Sequence, residues 1–311
     1  MKLWLTLVLS LLLVFPPVYA QDELELPNGF FSVQARRNHK RTNNYVAYPA
    51  LSYFLPGFAQ YKYGQYGAGL TYSTMGAVGL GVGIHAINAL GEQPTIEDLD
   101  TTDWRVRQTI WGFKTYDLAG SLSAYHAFRT SVAGRASERF DFLGEAETTG
   151  DLMIAPARLD YFTRWTTLIP LALITGGLVA YMANDDYNTD PVYGSDLLFS
   201  TALSFNAGVG EEALFRGFLM PVLTDVTKSP FYGNLATAGI FALAHVSEAN
   251  PVPFPQFILG YYFGWLAQQN NWTLSEVVFL HTWWDIIVFS FAFSRGDPKA
   301  NIYVPLYQTQ F

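Results

Sequence analysis

The sequence contains no cysteine, which excludes disulfides, thiolate metal sites and cysteine nucleophiles. Only 14% of its 311 residues are charged, whereas about a quarter is usual in soluble domains. The net charge is −8 and no basic stripe with interleaved aromatic residues is present, so a nucleic-acid partner is not expected. The function must therefore depend on other residue types, in a setting that tolerates few charges.

Apolar runs near membrane-spanning length occupy most of the chain between a few polar stretches. This distribution predicts an all-α fold, a polytopic membrane helix bundle with about six to eight spans. Four apolar segments near the C-terminal end are expected to form its core, at residues 197–223, 231–246, 254–268 and 274–293.

Residues 1–20 are typical of a secretory signal peptide, with Lys2, an apolar run at 3–15 and the small residue Ala20 at the end. An uncleaved membrane anchor is the alternative. The polar segment that follows, 21–44, begins acidic and ends with a basic cluster. Such clusters favour the cytoplasmic side, whereas cleavage of a signal peptide would leave this one outside, so the two indications conflict.

Residues 45–130 are predicted to form an accessory membrane unit outside the core. Leu55-Pro56-Gly57 and Gln60 resemble the PGxxQY-type signature that precedes helical hairpins in small bacterial membrane proteins. A short helix broken at Pro56-Gly57 is expected, followed by a span at 68–89. Charges interrupt residues 104–130, which are either a span with charged ends or an amphipathic interfacial helix.

The remaining polar stretches divide the rest of the chain. A polar loop is predicted at 131–160, the core unit at 161–295 and a C-terminal tail at 296–311. The sequence shows no internal repeat and no low-complexity segment.

Two adjacent carboxylates and an arginine interrupt the apolar segment 197–223. Glu212 and Arg216 are four residues apart, a spacing and order that favour an ion pair on one helix face. Glu211 lies about a quarter turn away and has no partner on its own helix. Ionisable groups at membrane depth cost several kcal/mol and usually mark a functional site, although a structural ion pair between helices is the alternative.

Two further motifs follow in separate apolar segments. Phe241 precedes His245 by four residues, and His281 precedes Asp285 by the same spacing. The ordered set EExxxR, FxxxH and HxxxD resembles the CAAX-protease and bacteriocin-processing (CPBP, or Abi) family of intramembrane endopeptidases. The resemblance covers residues 196–293 and implies a catalytic core within 161–295.

The resemblance implies a role for each motif residue. Glu211 would be the general base, because a carboxylate removed from water becomes a competent base near neutral pH. His245 would share the attacking water, and His281 would face the developing oxyanion. Arg216 would hold Glu212 in place behind them, and Phe241 would pack beneath the imidazole of His245.

Asp285 departs from the commoner family pattern, which has asparagine at this position. An asparagine amide can donate to an oxyanion, whereas an ionised aspartate can only accept. Asp285 is therefore expected to orient His281 and to favour its charged form, which would make the imidazolium the donor. A hydrogen bond within the helix is the alternative interpretation of this pair.

The leading hypothesis needs no cofactor. Zinc is the alternative, since Glu211, His245, His281 and Asp285 include acceptable ligands, although no HExxH motif is present. Two other function classes remain open: a non-catalytic maturation or immunity factor on the same fold, and a proton-coupled transporter. The lack of paired repeats counts against the transporter.

The expected partners are the lipid bilayer and a peptide or protein substrate, and the expected location is the inner (cytoplasmic) membrane of a bacterium. Prenylated CAAX proteins are the substrate of the eukaryotic members of the family. The apparent bacterial signal peptide argues against that substrate here.

Overall fold

The computed structural model describes residues 45–90, 103–133, 139–144, 147–184, 192–246 and 251–294. These ranges are helical apart from short turns and contain no strand, so the predicted all-α bundle is confirmed. The predicted signal peptide, the polar segment 21–44 and the tail 296–311 lie outside the described residues.

The helices are numbered in chain order: α1 (Ala47–Phe54), α2 (Phe58–Lys62), α3 (Tyr66–Asn88), α4 (Trp104–Val132), α5 (Thr149–Ile154), α6 (Trp165–Asn184), α7 (Gly194–Leu214), α8 (Met220–Thr227), α9 (Pro230–Leu243), α10 (Phe254–Gln269) and α11 (Ser275–Ser294). Two short 3₁₀ helices precede α6, at Ala155–Ala157 and Leu159–Thr163. A π-helical segment, Phe215–Leu219, joins α7 to α8. The four predicted core segments coincide with α7–α8, α9, α10 and α11.

Three of the described helices are long and apolar enough to cross a membrane, namely α3, α6 and α11. α4 is longer, with 29 residues, but carries charged side chains, and α9 has only 14 residues. The total of six to eight spans stays a prediction.

The PGxxQY-type signature forms the turn between α1 and α2. Gly57 has a φ of 94°, a left-handed conformation that glycine adopts without steric cost, and the helix breaks here as predicted. The amide of Gly57 donates to Ser123 Oγ at 2.9 Å, and Gln60 Nε2 donates to the Ser123 carbonyl at 2.9 Å. The signature therefore attaches the first hairpin to α4.

α4 is a central helix of the bundle. Glycines allow its neighbours to approach closely: a Cβ on Gly112 would lie 2.4 Å from the backbone nitrogen of Gly83 on α3. A Cβ on Gly210 of α7 would lie 3.3 Å from Leu118 Cα. α4 is therefore covered by α3 on one side and by α7 on another. Through α4, residues 45–130 are in direct contact with α7 of the predicted core.

α7 and α11 approach each other closely within the C-terminal part. A Cβ on Gly208 would lie 2.2 Å from Thr282 Oγ1 and 2.8 Å from the Thr282 amide nitrogen. No side chain fits between the two backbones at this level. Gly208 thereby sets the distance between the helix that carries Glu211 and Glu212 and the helix that carries His281.

Gly208→Ala should destabilise the protein by about 1–3 kcal/mol, because an added methyl group forces the two helices apart. The measurement is the thermal midpoint of the purified protein in detergent. Gly176→Ala is the matched control, since a Cβ there has no neighbour within 4 Å. An unchanged midpoint for Gly208→Ala would contradict the close contact.

Candidate active site

Glu211 lies near the end of α7 and is 6% exposed. Its Oε1 accepts a hydrogen bond from the ammonium group of Lys114 on α4, at 3.0 Å. Its Oε2 lies 3.8 Å from Nε2 of His245 and 4.0 Å from Nε2 of His281. The two carboxylate oxygens therefore have different surroundings: one binds a cation and the other faces two imidazoles.

His245 lies in the turn that directly follows α9. Its Nδ1 is 2.7 Å from the carbonyl oxygen of Phe241. A carbonyl can only accept, so Nδ1 carries the hydrogen, and in the neutral ring Nε2 is an acceptor. The ring of Phe241 packs against the imidazole with centroids 4.5 Å apart, as the FxxxH spacing predicts. His245 thus presents a fixed acceptor atom to Glu211.

One carboxylate oxygen of Glu212 accepts hydrogen bonds from two side chains. Its Oε1 lies 2.8 Å from Arg216 Nη1 and 2.7 Å from Nδ1 of His281. The ion pair with Arg216 is the one that the sequence predicts, and both side chains are completely buried. The sequence does not predict the hydrogen bond from His281, which links α7 directly to α11.

Arg216 connects the π-helical segment to two further helices. Its Nη2 donates to the carbonyl oxygen of Gly260 on α10 at 2.9 Å. Its guanidinium lies 4.4 Å from the ring centroid of Phe241 and 5.4 Å from that of Phe263, within range of a cation–π interaction. π-Helical turns occur frequently at functional sites, and this one carries the arginine of the EExxxR motif.

Asp285 contacts His281 less closely than Glu212 does. Its Oδ2 lies 3.6 Å from Nε2 of His281, which is within ion-pair distance but too long for a hydrogen bond within the helix. The shorter contact, from Nδ1, goes to Glu212 and fixes the ring.

Residues from all three motifs line one pocket of about 230 Å³. Glu211, His245, His281 and Asp285 all line it, together with Lys114. The other walls are mainly apolar and include Leu203, Ala207, Leu259, Phe263, Trp284 and Val288. A buried polar cluster beside an apolar cleft is the usual form of a binding or catalytic site.

Lys114 is the site residue that the sequence analysis missed. It is 3% exposed and comes from α4, within the unit predicted to be accessory. One signal was available, because a lysine within a mostly uncharged stretch at membrane depth needs a partner. The sequence could not identify Glu211 as that partner, because the contact joins helices 97 positions apart in the chain.

The positions of the His, Asp and Glu side chains bear on whether this site could bind zinc. In the part of the chain that the structure describes, no three His, Asp or Glu side chains are grouped so that they would hold a metal ion. In addition, the ammonium of Lys114 lies 3.0 Å from Glu211 Oε1 and would repel a cation bound to the same carboxylate.

A family model matches the part of the chain that contains this site. Residues 193–287 match the family model of Type II CAAX prenyl endopeptidase Rce1-like. The resemblance indicated by the three motifs is thereby confirmed for the C-terminal third of the chain. The Rce1-like stretch runs from the start of α7 into α11 and contains every motif residue named above. Since this is a family of membrane peptidases, the match and the apolar helices together indicate an integral membrane protein.

No curated protein and no solved structure matches the chain. α4 and Lys114 lie outside the Rce1-like stretch, although Lys114 contacts its first glutamate.

Arg216→Met should lower the free energy of unfolding by about 3–5 kcal/mol, because it leaves Glu212 without its buried guanidinium partner. The yield of folded protein should fall sharply as a result. The measurement is monodisperse protein recovered from detergent extracts, together with its thermal midpoint. Glu212→Gln should have a similar effect through the stranded guanidinium.

The matched control is Arg158→Met, whose ion pair with Asp160 leaves both side chains about half exposed. Exposed pairs contribute about 1 kcal/mol or less, so this variant should be recovered at nearly the native yield. Equal losses for Arg158→Met and Arg216→Met would contradict the importance of the buried pair.

Proposed function

We propose that this chain is an intramembrane endopeptidase of the CPBP type, which hydrolyses a peptide bond near the membrane with a water activated by Glu211 and His245. One observation carries the proposal: Oε2 of Glu211 and Nε2 of His245, both acceptors, lie 3.8 Å apart. A water about 2.8 Å from each atom can donate one hydrogen to each of them. Such a water is oriented and polarised for attack.

The reaction follows from these contacts. The water oxygen attacks the carbonyl carbon while its proton passes to Oε2 of Glu211. When the carbon–nitrogen bond breaks, Glu211 returns that proton to the leaving amine. His281 is fixed by its Nδ1 bond to Glu212, so that Nε2 faces the pocket. A hydrogen on this Nε2 is the donor to the oxyanion, and the negative charge of Asp285 favours it.

The proposed reaction requires no metal ion and no other cofactor. Glu211 and His245 polarise the water, and the ammonium of Lys114 balances the charge of Glu211. The apolar pocket walls fit a peptide segment with apolar side chains. A peptide or protein substrate at the bacterial inner membrane and the surrounding lipid are the proposed partners.

Glu211→Gln should abolish cleavage, because general-base catalysis contributes about 10²–10⁴-fold and an amide keeps the shape but cannot take up the proton. The variant leaves the buried ammonium of Lys114 without its anion and should lose some stability, so equal amounts of folded protein are compared. The measurement is a quantitative comparison of membrane proteomes from cells with the native chain and with Glu211→Gln. Substrates should accumulate intact in the variant, and their fragments should occur only with the native chain.

Asp225→Asn is the matched control, since Asp225 is a buried carboxylate that pairs with Arg139 and Lys228 away from the pocket. Identical proteomes for native and Glu211→Gln cells would favour a non-catalytic maturation or immunity factor. Once a substrate is known, loss of cleavage with 1,10-phenanthroline, restored by Zn²⁺, would favour the zinc mechanism.

Asp285→Asn should retain near-native cleavage at neutral pH, because Glu212 and not Asp285 fixes the ring of His281. Removing one negative charge beside the imidazole makes its charged form less favourable, so the upper pH limit of kcat/KM should move to lower pH. The measurement is the pH profile of kcat/KM on an identified substrate. Complete loss of activity would show that the carboxylate itself is required, as a second base or as a metal ligand.

A further inference from the structure

We infer that Lys114 is a positioning residue for the general base: it holds Oε1 of Glu211, so that Oε2 alone faces His245 and His281. The inference rests on the proposed function and extends its active site to α4. It is carried by the ion pair between Nζ and Oε1, at 3.0 Å, and by the burial of both side chains.

The charged and titratable groups around Glu211 come from several elements. Lys114 enters from α4, His245 from the turn after α9, and His281 and Asp285 from α11. Glu212 is its neighbour in the chain. Among the described residues that line the pocket, Lys114 alone carries a permanent positive charge.

Each of the two adjacent glutamates is paired with a different cationic side chain. Arg216 donates to Glu212 through Nη1 and to the carbonyl of Gly260 through Nη2, and within the described residues no hydrogen bond joins it to Glu211. Arg216 therefore leaves the first glutamate to Lys114. On α4, Asp117 lies one turn from Lys114 but is bound by the hydroxyl of Tyr53 at 2.6 Å. The ammonium of Lys114 therefore donates its hydrogen bond to Glu211 and not to Asp117.

Fixing one oxygen has a chemical consequence. A carboxylate without a fixed partner can rotate about its last torsion and present either oxygen to the water. It can also take up a proton, because an uncompensated charge in an apolar site is costly. Lys114 prevents both, since it holds Oε1 and favours the ionised form of Glu211.

A test that needs no substrate uses dicyclohexylcarbodiimide, which is apolar and reacts with protonated carboxyl groups in membranes. Modification of Glu211 is followed by peptide mass spectrometry as a function of pH, on monodisperse protein in detergent. In Lys114→Met, modification should extend to a pH higher by about one to three units than in the native protein. Lys114→Arg should restore most of the native profile, and Lys62→Met, at an exposed lysine of α2, should leave it unchanged.

The lack of cysteine in the chain allows a reversible test at the same position. Lys114→Cys would carry the only thiol, and aminoethyl methanethiosulfonate would restore an ammonium group there. Propyl methanethiosulfonate adds a neutral group of similar size. The ammonium adduct should recover the native modification profile and at least a tenfold gain in kcat/KM on an identified substrate. The propyl adduct should not, and reduction should reverse the gain.

The outcomes separate this inference from the proposed function. If Glu211→Gln is inactive but Lys114→Met has the native carbodiimide profile and the native kcat/KM, only the role of Lys114 is overturned. If Glu211→Gln cleaves like the native chain, the proposed function fails, whatever the carbodiimide profile shows. Equal recovery with the ammonium and propyl adducts would mean that Lys114 only fills space, and would overturn the inference as well.

Discussion

Two adjacent carboxylates removed from water need a separate cation each, and the C-terminal part of the bundle is arranged around this requirement. Arg216 neutralises Glu212 from the same helix, whereas the cation for Glu211 comes from α4. If either pair loses one member, the other is left as an uncompensated buried charge or has to change its protonation state. Electrostatic compensation therefore ties α4 to the Rce1-like stretch, although α4 lies outside the family match.

Close helix approach is the second condition for the site. Gly208 allows α11 to reach α7, and Gly260 leaves room for the guanidinium of Arg216, since a Cβ there would lie 3.3 Å from Nη2. These contacts place His281 within hydrogen-bonding distance of Glu212. Small residues at helix contacts are common in membranes, where burial of apolar surface provides little association energy. Here they also determine the distances between the side chains of the proposed active site.

The two glutamates of the EExxxR motif have separate tasks. Glu212 is a structural anion that accepts from Arg216 and His281 and fixes the imidazole. Glu211 faces the pocket and keeps one oxygen directed at His245 and His281. A single-residue step along a helix changes direction by about a quarter turn, which is enough to separate a supporting role from the chemical role proposed for Glu211.

The sequence alone determined the all-α class, the positions of α7 to α11, the break at Pro56-Gly57 and the pairing of Glu212 with Arg216. Each of these depends on apolar run length, local turn chemistry or the period of a single helix. Only the tertiary structure decided that Lys114 binds Glu211, that Glu212 rather than Asp285 fixes His281, and that α4 is central. Contacts between helices depend on where small residues let the backbones approach, and the spacing within one helix carries no information about that.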